Sequence, residues 1–255
     1  MVISGSELTA IVGSFLWPLF RISAVVMTAP VFGAKTVPSR VKLMVSLALT
    51  IVIVPMLPNM PEVDVFSLQG LYVTANQILI GIAIGFTTQL VFSAIIMAGQ
   101  IIAMQMGLGF SIMVDPQNGM QAPVLSQFYI IYVLLVYLSL NGHLVLIQIV
   151  MDGFETLPIA VTGLSADSIW QIMTWGRYIF SGAIGIAIPA IASLLVVNLS
   201  FGIMTRAAPQ LNIFAIGFPV TLMLGFALVL LTMSNIAPTS NALFLNVYQV
   251  VRGFH

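Results

Sequence analysis

The sequence predicts an all-α, polytopic membrane protein with about six long apolar helices. Of its 255 residues, 60% are hydrophobic and only 5% are charged. Soluble domains carry roughly a quarter of charged residues, so this chain lacks the polar surface that water would require. Apolar segments also recur along the chain at about the 20-residue length that a bilayer-crossing helix needs. Composition and segment length therefore point to the same fold class.

Six apolar segments follow one another from the N-terminus. They cover residues 8–27, 41–57, 72–97, 128–150, 178–199 and 211–233. The second is short, and the third is long enough to tilt or to project beyond the bilayer. A weaker apolar stretch, 242–251, is too short to span and predicts an interfacial or packed helix.

The side-chain inventory gives little support to an enzyme. The chain has no cysteine, and its two histidines, His143 and His255, lie far apart. No nucleotide-binding loop, nucleophile–base set or metal-ligand spacing occurs. We therefore predict no catalytic residue, no metal site and no cofactor. The formal net charge of zero gives no reason to expect a nucleic-acid partner.

The charged residues lie mainly between the apolar segments and predict a topology. Lys35 and Arg40 lie in the first loop, at residues 29–40, and Lys42 lies just after it. Arg206 lies in the fifth loop. The positive-inside rule places these odd-numbered loops in the cytoplasm and both termini outside. The residues that we expect to set topology or to contact a partner at this end are Lys35, Arg40, Lys42, Arg206, Pro209 and Gln210.

Three polar residues within the apolar segments are interpreted as structural. Arg21 lies late in the first segment, and we expect its side chain to reach the membrane interface rather than to act inside the membrane. Asn141 and His143 lie inside the fourth segment without carboxylate or cysteine companions. The small-residue pattern from Gly81 to Gly85 predicts a face where helices pack closely.

Residues 99–127, between the third and fourth segments, are too apolar for an ordinary solvated loop and too broken for a span. Irregular backbone in a membrane chain must be buried in protein or line a cavity. The stretch is therefore either a deformable re-entrant loop that plugs a pore or an interfacial connector, and composition does not separate these two. The candidate plug residues are Met104, Met106, Gly107, Gly109, Phe110, Met113, Asp115 and Pro116.

Several short motifs, taken together, resemble a known family. They are VPSRVK (37–42), QMGLGF (105–110), VDP (114–116), NGHL (141–144), RAAPQL (206–211) and IGFP (216–219). Each motif alone is weak, but their order and spacing over most of the chain are specific. The chain resembles the FliR/SpaR/SctT family, the R subunits of the flagellar and type III secretion export gate.

The resemblance implies more than hydropathy can give. Members of this family combine with the P and Q subunits, FliP and FliQ, into a helical export channel, and FlhB and FlhA are further expected partners. Exported unfolded flagellar proteins would pass through that channel, in the bacterial inner membrane at the flagellar basal body. The loop corresponding to residues 106–121 would be the plug. Residues 1–177 would form a part similar to the P subunit, and residues 178–255 a hairpin and tail similar to the Q subunit.

Two other function classes are weaker. A small-solute transporter or channel would predict inverted repeats with paired broken helices and a polar site at mid-membrane. Only one strongly broken region is evident in the sequence. A membrane-bound lipid enzyme would need clustered Asp, Glu or His residues, and no such cluster lies inside the apolar segments.

Overall fold

The computed structural model of the chain describes residues 5–34, 36–57, 61, 63–109, 124–208 and 213–254. Within these residues the secondary structure is helical, without strands, so the predicted all-α class is confirmed. The helices are α1 (Gly5–Thr28), α2 (Ser39–Ile53), α3 (Leu68–Gln105), α4 (Val124–Ser139), α5 (Gly142–Thr156), α6 (Ala166–Trp175), α7 (Arg177–Ala207) and α8 (Ile213–Arg252). A short 3₁₀ helix, Val54–Met56, extends α2.

Four helical stretches in the described residues are long and apolar enough to cross a membrane. They are Ser39–Met56, Leu68–Gln105, Ala166–Ala207 and Ile216–Arg252, and the α4–α5 pair is a fifth if it counts as one span. Val12–Thr28 in α1 is a further, shorter apolar stretch. The polytopic class is thus confirmed, with four or five candidate spans in the described residues.

The fourth predicted segment, 128–150, is divided between two helices that are bent by 65° at the break. The helical run stops after Ser139 and starts again at Gly142. Asn141, at the break, adopts a left-handed backbone with φ of 56°, a conformation that Asn tolerates better than most residues. The NGH motif therefore ends one helix and begins the next.

The expected separate helix at 242–251 is instead the end of α8, which is 40 residues long. The reason is a continuous buried face. Residues at helical spacing stay buried past Pro238, and they are Ile236, Ser240, Phe244, Val247 and Val251. At about 1.5 Å per residue, α8 is roughly 60 Å long, about twice the thickness of a bilayer's hydrocarbon core.

The first of two compact units contains Met1–Leu90, Asn141–Trp175 and Phe244–His255. In it α1 and the N-terminal half of α3 pack in parallel, since successive contacts advance along both helices. Trp17 Nε1 donates to Thr74 Oγ1 at 3.2 Å. Two turns further on, a Cβ added at Gly81 would lie 2.7 Å from that of Ala24. The predicted small-residue face is therefore a packing face within the chain.

The second unit contains Val91–Leu140 and Gly176–Leu243. Here α4 is antiparallel to the C-terminal half of α3. Ser126 lies against Gly99, where an added Cβ would be 2.7 Å from the Ser126 Cα. The rings of Phe92 and Tyr137 meet edge to face at 5.7 Å.

The α7–α8 hairpin belongs to the same second unit. Gly182 lies near the start of α7. A Cβ added there would lie 3.3 Å from Leu243, which is in the C-terminal part of α8. Contact between the beginning of one helix and the late part of the next is typical of an antiparallel pair.

Candidate pore loop and buried polar cluster

The candidate plug begins at a tightly defined helix end. The amide of Leu108 donates to Ala103 O at 2.9 Å, and the amide of Gly107 donates to Met104 O at 3.1 Å. Gly107 has φ of 80°. This pair of hydrogen bonds around a left-handed glycine is a Schellman C-cap, so Gly107 fixes the direction in which the chain leaves α3.

Met106 anchors this helix end against α8. Its side chain is fully buried. A Cβ added at Gly225 would lie 2.6 Å from both Cγ and Cε of Met106. Gly225 thus leaves the space that the methionine fills, and a larger residue there would displace it.

A cleft of about 320 Å³ lies beside this anchor, within the second unit. Its walls come from the end of α3, from α7 and from α8, and are formed by Met104, Gln105, Met106, Gly107, Asn198, Phe201, Gly217, Phe218 and Thr221. The ring of Phe218 approaches Gly107, where an added Cβ would lie 3.3 Å from it. The lining of the cleft is partly polar and partly apolar, because it contains amide and hydroxyl groups as well as aromatic and thioether side chains.

The structure describes four of the eight candidate plug residues. Met104 has two-thirds of its surface exposed, whereas Met106 is buried. Gly109 is half-buried, and a Cβ added there would lie 3.3 Å from Met104 Cγ. Phe110, Met113, Asp115 and Pro116 lie outside the described residues.

The basic residues predicted at one end of the chain differ in their surroundings. Arg40 and Arg206 are exposed. Lys42 is half-buried, and its Nζ donates to Gly33 O at 2.9 Å, which ties the start of α2 to the turn after α1. Lys35, Pro209 and Gln210 lie outside the described residues.

The Arg21 side chain does not extend to solvent. It is fully buried in the first unit. Nε donates to Gln77 Oε1 at 2.8 Å, and the two terminal nitrogens donate to Gly153 O at 2.9 Å and Leu157 O at 2.8 Å. The guanidinium also lies 4.2 Å from the centre of the Phe154 ring. Each guanidinium nitrogen of Arg21 thus has a hydrogen-bond acceptor inside the protein.

Sequence reasoning missed the partners of Arg21. Gln77 was visible as a polar residue in the third segment, and it follows Arg21 by 56 positions. The register between the first and third segments would have been needed to pair the two. The backbone carbonyls of Gly153 and Leu157 give no signal in the sequence at all.

The other two in-span polar residues lie together at the start of α5. The carbonyl of Gly142, between Asn141 and His143, accepts a hydrogen bond from the Tyr248 hydroxyl at 3.1 Å. His143 is half-buried, and its Nδ1 has no hydrogen-bond partner among the described residues. Across the described ranges, His, Asp and Glu residues form no group of three that could hold a metal ion.

These features define a class of protein: an all-helical, polytopic membrane protein in which one of the long apolar helices ends at a glycine C-cap. The family model described as bacterial export proteins, family 1, matches residues 12–247, and the chain belongs to that family.

Several curated relatives carry the same name. Each of those described below is similar to this chain over nearly its whole length. The chain is 42% identical over 237 residues to the flagellar biosynthetic protein FliR of Escherichia coli (strain K12), covering 93% of this chain and 90% of that protein. It is 37% identical over 240 residues to FliR of Pectobacterium carotovorum subsp. carotovorum, covering 94% and 92%. It is 28% identical over 226 residues to FliR of Bacillus subtilis (strain 168), covering 88% and 87%.

Proposed function

We propose that this chain is the R-type subunit of a flagellar type III protein export gate, a non-enzymatic channel component for unfolded proteins. Membership of a bacterial export family and similarity to proteins named FliR support this assignment. The proposal includes assembly with FliP and FliQ and contact with FlhB and FlhA. It also includes a location in the bacterial inner membrane at the flagellar basal body. In this proposal residues 1–177 form the part similar to the P subunit, and residues 178–255 form the part similar to the Q subunit.

Uneven coverage of the helices supports a chain that works with partners. In its most apolar window, α3 has 67% of its residues buried within the chain. The corresponding share is 17% for Ser39–Met56, 28% for Ala166–Ala207 and 22% for Ile216–Arg252. Apolar helix faces without a partner must meet lipid or another subunit. These three helical stretches thus offer apolar surface to lipid or to an assembly.

The single observation that carries the plug proposal is the capped end of α3. Gly107 supplies a sharp change of direction, and Met106, buried on Gly225, holds that turn in place. A plug needs a fixed base if its far part is to move aside and return. We propose that residues 106–121 seal the channel at rest and yield to a passing polypeptide.

The two methionines at this base then have different roles. Met106 is fully buried and serves as the anchor, whereas Met104 is exposed and free to contact a neighbour. The soft apolar seal that excludes ions would be formed by Met104 together with Phe110 and Met113, because flexible thioethers adapt to changing surfaces.

The test replaces Phe110 and Met113 together with serine in cells that express the complete gate. We expect higher ion leakage, because small polar side chains cannot exclude water from a closed pore. Membrane conductance, or growth under ionic stress, is the measurement, and co-purification of the gate subunits checks assembly. Normal leakage through a correctly assembled variant gate would show that the stretch is only a connector.

A matched pair of variants at Gly107 tests the base of the plug. Gly107→Val places a β-branched residue at φ of 80° and should impair export, whereas Gly107→Asn should retain most of it, because Asn tolerates the left-handed region. Both side chains place a Cβ at the same distance from Phe218, so contact of that atom does not distinguish the two variants. Equal secretion by the two variants would contradict a role for this turn.

A further inference from the structure

We propose that Arg21 is a positioning residue: it caps the C-terminus of α5 from a neighbouring helix and fixes the irregular segment 157–163 that follows. The proposal concerns the first unit only and does not rest on the proposed function. It assigns a role to a buried cation for which composition and spacing suggested only a position near the membrane interface.

The acceptors around Arg21 are all neutral. One is the side-chain oxygen of Gln77, and the other two are the backbone carbonyls of Gly153 and Leu157. The ion pair found among the described residues, between Arg252 and Asp152, does not involve it. A fully buried guanidinium therefore needs another source of negative potential.

The end of α5 provides that potential. Helix α5 ends at Thr156, with Leu157 as its C-cap residue, so both carbonyl acceptors lie where a helix has its partial negative charge. Leu157 O lies beyond the last helical hydrogen bond, whereas Gly153 O already accepts the Leu157 amide at 3.0 Å and receives a second hydrogen bond from Arg21. The face of the Phe154 ring, 4.2 Å from the guanidinium carbon, adds an attractive quadrupole.

The segment that begins at Leu157 is held at a second point. Asn76, the neighbour of Gln77 on α3, donates from Nδ2 to Val161 O at 3.0 Å. A Cβ added at Gly163 would lie 2.7 Å from the Asn76 Oδ1, so the segment passes closely over this amide. Irregular backbone in an apolar protein must find its hydrogen bonds within the protein, and Arg21 and Asn76 supply them here.

Gln77 orients the cation. Its Oε1 receives the Arg21 Nε–H at 2.8 Å, while its own Nε2 is buried without a partner. The residue is therefore used as an acceptor and not as a donor. Gln77→Glu keeps the acceptor, removes the unpartnered donor and adds a countercharge, so it should preserve the arrangement, whereas Gln77→Leu should not.

The test uses single cysteine reporters, which the cysteine-free chain allows. One reporter replaces Ile159, which is buried within the segment, and the other replaces Ala187, which is buried on α7 in the second unit. The rate of modification by a small thiol reagent is measured on the full-length chain in membrane vesicles. In Arg21→Met we expect about a tenfold faster reaction at position 159, because local opening no longer breaks charge-assisted hydrogen bonds. The rate at position 187 should not change.

Matched variants separate positioning from general weakening. Arg21→Lys should accelerate labelling at position 159, because an ammonium cannot reach three acceptors in a fork. Ile22→Ala removes a neighbouring buried side chain without touching the hydrogen bonds, so it should accelerate labelling at position 159 less than Arg21→Met does. If Arg21→Met fails to fold, Gln77→Leu and Gln77→Glu provide the same comparison. Equal acceleration at both reporters, no acceleration at position 159, or a wild-type rate in Arg21→Lys would overturn the proposal.

Discussion

Val31 carries backbone strain at the scale of a single residue. Its φ is 71°, and the amide of Phe32 donates to Pro30 O at 2.9 Å, which closes a three-residue turn with Val31 at its centre. γ-turns with a positive central φ are rare and strained, and a β-branched residue makes the conformation costlier still. The turn links α1 to the segment held by Lys42 through Gly33 O.

Replacing Val31 with glycine should therefore stabilise the protein by about 0.5–1 kcal/mol, since the relief of left-handed strain exceeds glycine's entropic cost. Thermal unfolding in detergent measures the change. The control is Val145→Gly inside α5, which should destabilise by about 1 kcal/mol, because glycine weakens a regular helix. A fall in stability on Val31→Gly would mean that packing of the valine outweighs its strain.

At the scale of elements, the last turns of α8 attach to α5 within the first unit. The Tyr248 hydroxyl donates to Gly142 O, and Arg252 pairs with Asp152 at 3.2 Å. The hydrogen bond is buried, whereas both partners of the ion pair are about half exposed. A buried hydrogen bond leaves a dehydrated carbonyl behind when it is lost, but an exposed ion pair is largely replaced by water.

Removing the Tyr248 hydroxyl should consequently matter more than removing the ion pair. We expect Tyr248→Phe to lower the free energy of unfolding by about 1 kcal/mol and Arg252→Gln to lower it by less than about 0.5 kcal/mol. Tyr72→Phe, at a tyrosine that is more than half exposed, is the matched control and should have no effect. Melting temperatures of the three variants, compared in one detergent, would refute this ranking if Arg252→Gln proved the most damaging.

Hydropathy predicted where the long helices lie, because bilayer-length apolar segments leave a strong signal. It did not predict the break at Asn141, which depends on a single left-handed residue inside an otherwise apolar run. It did not predict that α8 continues to Arg252, which depends on a buried face past Pro238. Gly107 was identified as a candidate plug residue, but the burial of Met106 on Gly225 requires contact between residues far apart in sequence.

At the scale of the whole molecule, charge is distributed unevenly along the helices of the first unit. Arg40 and Lys42 lie at the start of α2, which follows the end of α1. Asp64 precedes α3, and Asp167 lies in the first turn of α6. Because α1 and α3 are parallel and α2 connects the end of one to the start of the other, Arg40 and Lys42 lie at the opposite end of these helices from Asp64. This distribution favours a cytoplasmic basic end.

Single cysteines in the cysteine-free chain test this orientation. The changes are Ser39→Cys and Ala207→Cys beside the basic residues, with Leu68→Cys and Ala166→Cys as matched controls at the starts of α3 and α6; all four positions are exposed. We expect an impermeant thiol reagent, added outside the cytoplasmic membrane of spheroplasts, to label positions 68 and 166 and to spare positions 39 and 207, because lysine and arginine are retained on the cytoplasmic side. Permeabilised cells should show labelling at all four, which separates protection by the membrane from burial in an assembly. The reverse pattern, with 39 and 207 labelled from outside, would invert the topology and move Arg206 away from any cytoplasmic partner.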